Sequence, residues 1–345
     1  MKAAVFHDPG HLEVRDDLQE PVAGPGEVLV EVRACGICGS DLHLYRTNAH
    51  RDGGGVLRVD PDGREIPGHE YAGVIVALGE GVQGWQVGER VVGVTGGGGF
   101  AERVPVPVNP FQLARLPDGV SFEEGATTEP LADGLQMVRK AAPQPGEHVV
   151  VYGVGIIGLG VVQALRAKCP ALGHVIAVDV SPTRLAMALE VGASHVIDAR
   201  TEDVIEAAAR ICGTVSSAFP PMTPPDVAVV IDCAGYLKHM QGPPPLQQAL
   251  RLLRPRGGRI VCFGAYEAPV TLELMDVLHK EVQILGSMGY GLGELDEAIG
   301  LMASGRVDRH RLISHRFALD QVTPAFEAQG TPQSIKVMVL PTAAR

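Results

Sequence analysis

Residues Val149-Val-Val-Tyr-Gly153-Val-Gly155-Ile-Ile-Gly158-Leu-Gly160 run an apolar stretch into a glycine turn and out into a helical pattern, an order that few folds accept. Glycines 153, 155 and 158 complete G-x-G-x-x-G. In that pattern the first glycine permits a tight turn, the second lets a pyrophosphate approach the backbone, and the third lets helix and strand pack closely. Val149 to Val151 predict a buried parallel strand, and Ile156 to Lys168 predict the helix whose N-terminal amides hold phosphate oxygens. Ile156 and Ile157 therefore join Gly153, Gly155 and Gly158 as cofactor-binding candidates.

A second apolar run, Val175-Ile-Ala-Val-Asp179, follows one crossover later and ends in an acid 21 positions beyond Gly158. An acid there hydrogen-bonds the adenosine ribose hydroxyls and repels a 2′-phosphate. No basic residue fills the four positions after Asp179, and Arg184 arrives only at the fifth. The reading is NAD in preference to NADP, with Asp179 and Arg184 completing the cofactor set in the nucleotide domain.

The 345 residues exceed one ordinary compact core and predict two domains. A formal charge of −11 argues against a nucleic-acid or acidic-membrane surface, which needs clustered Lys and Arg. Met1 to Phe6 breaks at His7-Asp8-Pro9-Gly10 before an apolar signal segment can form. A cytoplasmic protein is expected, so its six scattered cysteines are better read as ligands or core residues than as disulfides.

The first part of the chain is rich in short strands punctuated by Gly and Pro, as a barrel-like β domain requires. From about residue 148 strands and helices alternate, predicting a doubly wound sheet with strands at 148–153, 174–179, 195–198, 227–232, 258–263 and 281–286. A terminal strand at Ile335 to Leu340 returns to the first domain. The expected division is 1–133 with 288–345 for the β domain and 134–287 for the nucleotide domain.

In the β domain, Cys35-Gly-Ile-Cys38-Gly-Ser40-Asp41-Leu-His43 is followed by Gly68-His69-Glu70 and then by Glu129-Pro-Leu-Ala132. Catalytic zinc takes three protein ligands and keeps a fourth position open, and Cys38, His69 and Glu129 supply such a set. These motifs, with the glycine turn after them, resemble in order the zinc-dependent medium-chain dehydrogenase/reductase family, closest to its sorbitol, butanediol and threonine dehydrogenase branch. The resemblance implies an α/β protein with a GroES-like β-barrel catalytic domain, a Rossmann coenzyme domain and an active site between them. It makes Cys38 and His69 zinc ligands with Glu129 third. Glu70 becomes a glutamate that approaches the metal, and Asp41 an acid that fixes the histidine tautomer.

The same resemblance makes Ser40 and His43 a proton relay and sets Lys336 near Glu70 and the pyrophosphate. It implies oxidation of a secondary alcohol or polyol with NAD, and a homodimer or homotetramer. Val94-Thr-Gly-Gly-Gly-Gly-Phe100 leaves no room for the four-cysteine lobe that many members carry, so one zinc per subunit is expected. Asp133 and Gln136 depart from the family pattern, and the polar segment 46–66, with Arg51, Asp52, Arg58, Asp60, Asp62 and Arg64, is a candidate substrate entrance. Two other readings are zinc-free NADPH-dependent quinone or enone reduction and a non-catalytic nucleotide-binding protein. The ligand set and Asp179 count against the first, and the intact set Cys38, His69, Glu129, Ser40 and His43 against the second.

Overall fold

The computed structural model describes residues 1–47, 58–59, 63–218, 220–236, 240 and 242–342. They form two units, one of residues 1–129 with 291–345 and one of residues 130–290. Arg51, Asp52, Asp60, Asp62 and the side chain of Arg58 lie outside the described residues, so the entrance expected there is not described.

In the second unit, six strands form one sheet in the order His195–Asp198, Val175–Asp179, Val149–Tyr152, Val229–Asp232, Arg259–Cys262, Gln283–Gly286. Every neighbouring pair is parallel. Such strands are covered on both faces, which is why Val149–Tyr152 and Val175–Asp179 are apolar without alternation and wholly buried. Helices Ile156–Lys168, Pro182–Glu190, Val204–Cys212, Pro245–Leu252 and Met275–Lys280 supply the crossovers. Val150, Ile176, Ile197, Val230, Leu250 and Ile260 fill one layer between sheet and helices. Each such side chain taken from water contributes about 1.5–3 kcal/mol.

The first unit is mostly strand. Its largest sheet runs Ile313–Ala318, Lys336–Leu340, Glu27–Gly36, Glu70–Leu78, Arg90–Val94, Leu113–Arg115, and Arg103–Pro107 also pairs with Glu27–Gly36. A smaller sheet joins His11–Arg15, Ala3–Asp8, Glu65–Ile66 and Arg58–Val59. Val30, Val32, Tyr71, Ile75, Phe100, Phe326 and Val337 pack the interior, with Phe100 edge-on to Phe326 at 5.5 Å between centroids. The strands Leu113–Arg115 and Ile313–Ala318 escaped sequence reading. The first has three residues, and the second, Ile-Ser-His-Arg-Phe-Ala, carries three polar residues in succession. Among the described residues no helix is long and apolar enough to cross a membrane.

Candidate metal centre and dinucleotide turn

Three paired strands of the first unit assemble the metal centre. Glu27–Gly36 and Glu70–Leu78 run antiparallel with Gly36 opposite Glu70. The end of one strand, leading to Cys38, therefore lies beside the start of the other, where His69 and Glu70 stand. Lys336–Leu340 pairs on the other side of Glu27–Gly36 with Met338 opposite Gly36, which delivers Lys336 to the same place.

Helix Gly39–Thr47 begins directly after Cys38. Its buried Asp41 ties the ligand segments together: Oδ2 accepts the Cys38 amide at 2.9 Å, and Oδ1 accepts the Gly68 amide at 3.2 Å. The Cys38 contact is half of a capping box, with a first-turn acid reaching back to the amide ahead of the helix. Asp41 Oδ1 also lies 3.7 Å from His69 Nδ1, which turns His69 Nε2 away toward Glu70 Oε1 at 3.9 Å. A carboxylate on one imidazole nitrogen fixes the other as the ligand.

Cys38, His69 and Glu70 bring one donor atom each within 4.8 Å of one another. Glu129, the expected third ligand, stands outside this closest group, and neither acid is excluded by that. Glu70 follows His69 directly, while Glu129 stands in the first turn of helix Thr128–Ala141. Both carboxylates are nevertheless short of donors. Glu70 Oε1 and Glu129 Oε2 are buried with no hydrogen-bond partner, and burial together with the negative Glu70 pushes Glu129 up to about 7. Burial and Glu70 likewise raise the Cys38 thiol. Burial works against the charged form of His69, yet Cys38 and Asp41 hold its imidazole well above the ordinary value. A thiol, an imidazole and two donor-poor acids crowded together fit a dication of borderline softness, and the His69 side chain is 21% exposed.

The resemblance sets Lys336 near Glu70 and the pyrophosphate. Its ammonium lies beside Glu70 as expected, wholly buried in the first unit, 2.5 Å from Glu70 Oε2 and 2.9 Å from the carbonyl of Ile37. Ser40 and His43 lie three apart on helix Gly39–Thr47, hence on one side of it, and both are partly exposed. Cys35 is fully buried in the strand interior, where burial pushes its thiol well up.

Arg309 is a residue that sequence reasoning missed. Its guanidinium is buried without exposure, and Nε donates to Thr127 Oγ1 at 3.1 Å, two positions from Glu129. Burial lowers it to about 10, while the charge of Glu70 acts in the opposite sense. Nothing about an arginine in Val-Asp-Arg-His-Arg distinguishes it in the sequence.

In the second unit the three glycines differ as their spacing implies. Gly153 has φ +77°, and a Cβ on Gly158 would lie 2.0 Å from the Gly153 carbonyl oxygen. A Cβ on Gly155 would meet nothing within 4 Å, so the approach to the amides of helix Ile156–Lys168 is clear. Asp179 braces this turn from the next strand: Oδ2 accepts the Val154 amide at 2.7 Å and Oδ1 accepts those of Val180 and Ser181, both at 2.8 Å. Arg184 is half-buried, and its amide donates to the helix-capping Ser181 hydroxyl at 3.3 Å. Asp133 is buried in helix Thr128–Ala141, and Gln136 Oε1 accepts from Arg139 at 2.8 Å.

Residues 24–118 match the alcohol dehydrogenase GroES-like domain, and residues 157–304 match the zinc-binding dehydrogenase family. (R,R)-butanediol dehydrogenase of Bacillus subtilis is 31% identical, over 99% of this chain and 100% of that protein. The chain belongs to the zinc-type alcohol dehydrogenases. Within that family, sorbitol dehydrogenase of Bacillus subtilis is 32% identical over 99% of this chain and 97% of its own. The crystal structure of a zinc-binding dehydrogenase from Sinorhizobium meliloti 1021, bound to NADP, superposes with a TM-score of 0.79 at 30% identity and covers 99% of each chain. For this zinc-type alcohol dehydrogenase the first unit is the GroES-like domain and the six-stranded unit the Rossmann-type domain.

Proposed function

We propose that this zinc-type alcohol dehydrogenase moves a hydride between a secondary alcohol or polyol and NAD. The observation carrying the proposal is the group Cys38, His69 and Glu70, with Glu70 Oε1 and Glu129 Oε2 buried and lacking donors. Butanediol and sorbitol dehydrogenases among its relatives support the substrate class. In this reading Cys38, His69 and Glu70 would hold the zinc, with Glu129 available as a further carboxylate donor. When bound, zinc supplies a Lewis acid toward a substrate oxygen and NAD a hydride acceptor.

The chain's own residues do the rest. Asp41 keeps His69 in the tautomer that offers Nε2, and Lys336 occupies Glu70 Oε2 so that Oε1 stays directed at the centre. Ser40, on the first turn of its helix, accepts the alcohol proton, and His43 on the same side passes it on. The amides after Gly155 receive the pyrophosphate, and Asp179 receives the ribose. Neighbouring molecules of the family include one bound to NADP, so the preference for NAD rests on Asp179 alone.

Support for self-association comes from the edge strand Gln283–Gly286, whose Ile284 is exposed alongside Leu274, Leu278 and Met288. A homo-oligomer built on that edge is part of the proposal.

Zinc content per subunit, measured with NAD and NADP reduction against a panel of polyols and secondary alcohols, tests the reading. One zinc and NAD reduction are expected. A zinc-free protein that reduces enones with NADPH would overturn it. Asp179→Asn should move the ratio of kcat/KM values toward NADP by at least about tenfold, or about 1.4 kcal/mol. An unchanged ratio would remove Asp179 as the discriminator.

A further inference from the structure

Three histidines stand where three adjacent strands of the Rossmann-type unit begin. His148 precedes Val149–Tyr152, His174 precedes Val175–Asp179, and His195 opens His195–Asp198. This is the amino-terminal edge of the sheet, opposite the strand ends that carry the glycine turn. All three residues are half-buried rather than enclosed. His148 stacks on His174 at 4.9 Å between centroids, and His195 meets His174 edge-on at 4.7 Å.

We propose that His174 Nδ1 and His195 Nε2 form a surface chelate for a divalent transition ion that favours imidazole, such as nickel, copper or zinc. The two nitrogens are 3.2 Å apart. Two imidazoles at about 2.0–2.1 Å from a tetrahedral ion stand about 3.3 Å from each other. One of the two nitrogens carries a proton in the neutral pair. Moving that proton to the other nitrogen of its own ring frees both facing lone pairs for an ion, with net protonation unchanged. Water fills the remaining positions. His148 is the wall of the site rather than a third ligand, since the three rings do not place one nitrogen each within 4.8 Å of one another.

Two further features keep the pair in place. His148 Nδ1 accepts the backbone N–H of His174 at 2.8 Å, which fixes the His148 tautomer and the start of the middle strand. The His148 ring sits over Gly173, where a Cβ would come within 2.6 Å of His148 Nδ1, so only glycine admits this stacking. Burial, then the neighbouring His174, hold both His148 and His195 below the ordinary imidazole value, with Asp226 raising and Arg254 lowering His148 as smaller influences. Neutral imidazoles are the form that binds metal.

The test is nickel chloride titrated into the zinc-loaded full-length protein, with bound nickel measured by equilibrium dialysis. The wild type should take up one nickel per subunit beyond its zinc. His174→Gln and His195→Gln should each weaken that binding by more than the roughly tenfold that losing even an outer-shell partner costs. Nickel not bound by the wild type overturns the proposal, and so does nickel bound equally tightly by these variants, in which case the stacked pair His7 and His11 is the alternative ligand set. Electron paramagnetic resonance of one copper(II) per subunit on the wild type gives a reading independent of variant folding. Coupling to two ring nitrogens is expected, and coupling to fewer overturns the assignment.

Discussion

Lys336 Nζ lies 2.5 Å from Glu70 Oε2, with neither side chain exposed to solvent. A buried pair of this kind stabilises little relative to apolar residues of the same size, but breaking it strands a charge and costs about 3–5 kcal/mol. Lys336→Met should therefore lower the unfolding free energy of the GroES-like unit by that amount in urea titration. A change under about 1 kcal/mol would mean that Glu70 finds another partner. Zinc would be the obvious one, so the titration should be run with and without chelator.

Asp41 makes no expected bond to the metal, yet it holds the amides of Cys38 and Gly68 and faces His69. Asp41→Asn should leave the fold intact and reduce zinc affinity by about 10–100-fold, the usual cost of losing an outer partner of a ligating histidine. Competition with a chromogenic chelator measures this. Affinity equal to the wild type would show that His69 is oriented by packing alone.

Gly158→Ala places a methyl group 2.0 Å from a backbone oxygen, and backbone cannot step aside as a flexible side chain can. The helix must move off the strand, at about 1–3 kcal/mol. NAD binding should fall more steeply than stability, because the displaced amides are those that receive the pyrophosphate. Calorimetric titration with NAD and a thermal melt separate the two effects, and a parallel small loss in both would contradict the phosphate role.

Lys280 gives a pH signature remote from the metal. Its ammonium donates to the carbonyls of Leu250 and Arg251 at 2.8 and 2.7 Å, at the end of helix Pro245–Leu252. Burial lowers it to about 8 from 10.5, with Asp276 opposing and Arg251 adding. Above the folded value and below the unfolded one, the unfolded chain binds more protons, so this residue makes stability rise with pH from about 8 to about 10.5. Urea midpoints of the wild type and Lys280→Met, compared at about pH 8 and about pH 10, should diverge in the wild type's favour. Parallel lines would show that Lys280 keeps its proton on those two carbonyls.

Much of the fold was legible because parallel strands buried on both faces leave continuous apolar runs, and helix Ile156–Lys168 began and ended where its pattern did. The short strand Leu113–Arg115 was not, since three residues show no period. At the metal centre, residue types and spacing singled out Cys38 and His69. The register of Gly36 against Glu70, and the Lys336 ammonium that takes one Glu70 oxygen and leaves the other, leave no local pattern in the sequence. Arg309 illustrates the same limit, because its burial beside Thr127 comes from a contact 182 residues apart in the chain.

The GroES-like unit is written in two pieces, with all of 130–290 between them, and its strand Lys336–Leu340 comes from the second piece. During synthesis on the ribosome, Cys38, His69 and Glu70 therefore emerge long before the lysine that restrains Glu70. Until then the nascent acid has no fixed cation beside it, and the edge of Glu27–Gly36 that this strand will cover stands open. The Rossmann-type unit, contiguous and rich in local crossovers, has the shorter wait. The last strand is thus the piece that closes the centre, and a chain clipped before Lys336 would keep Cys38, His69 and Glu70 while lacking the ammonium that restrains Glu70.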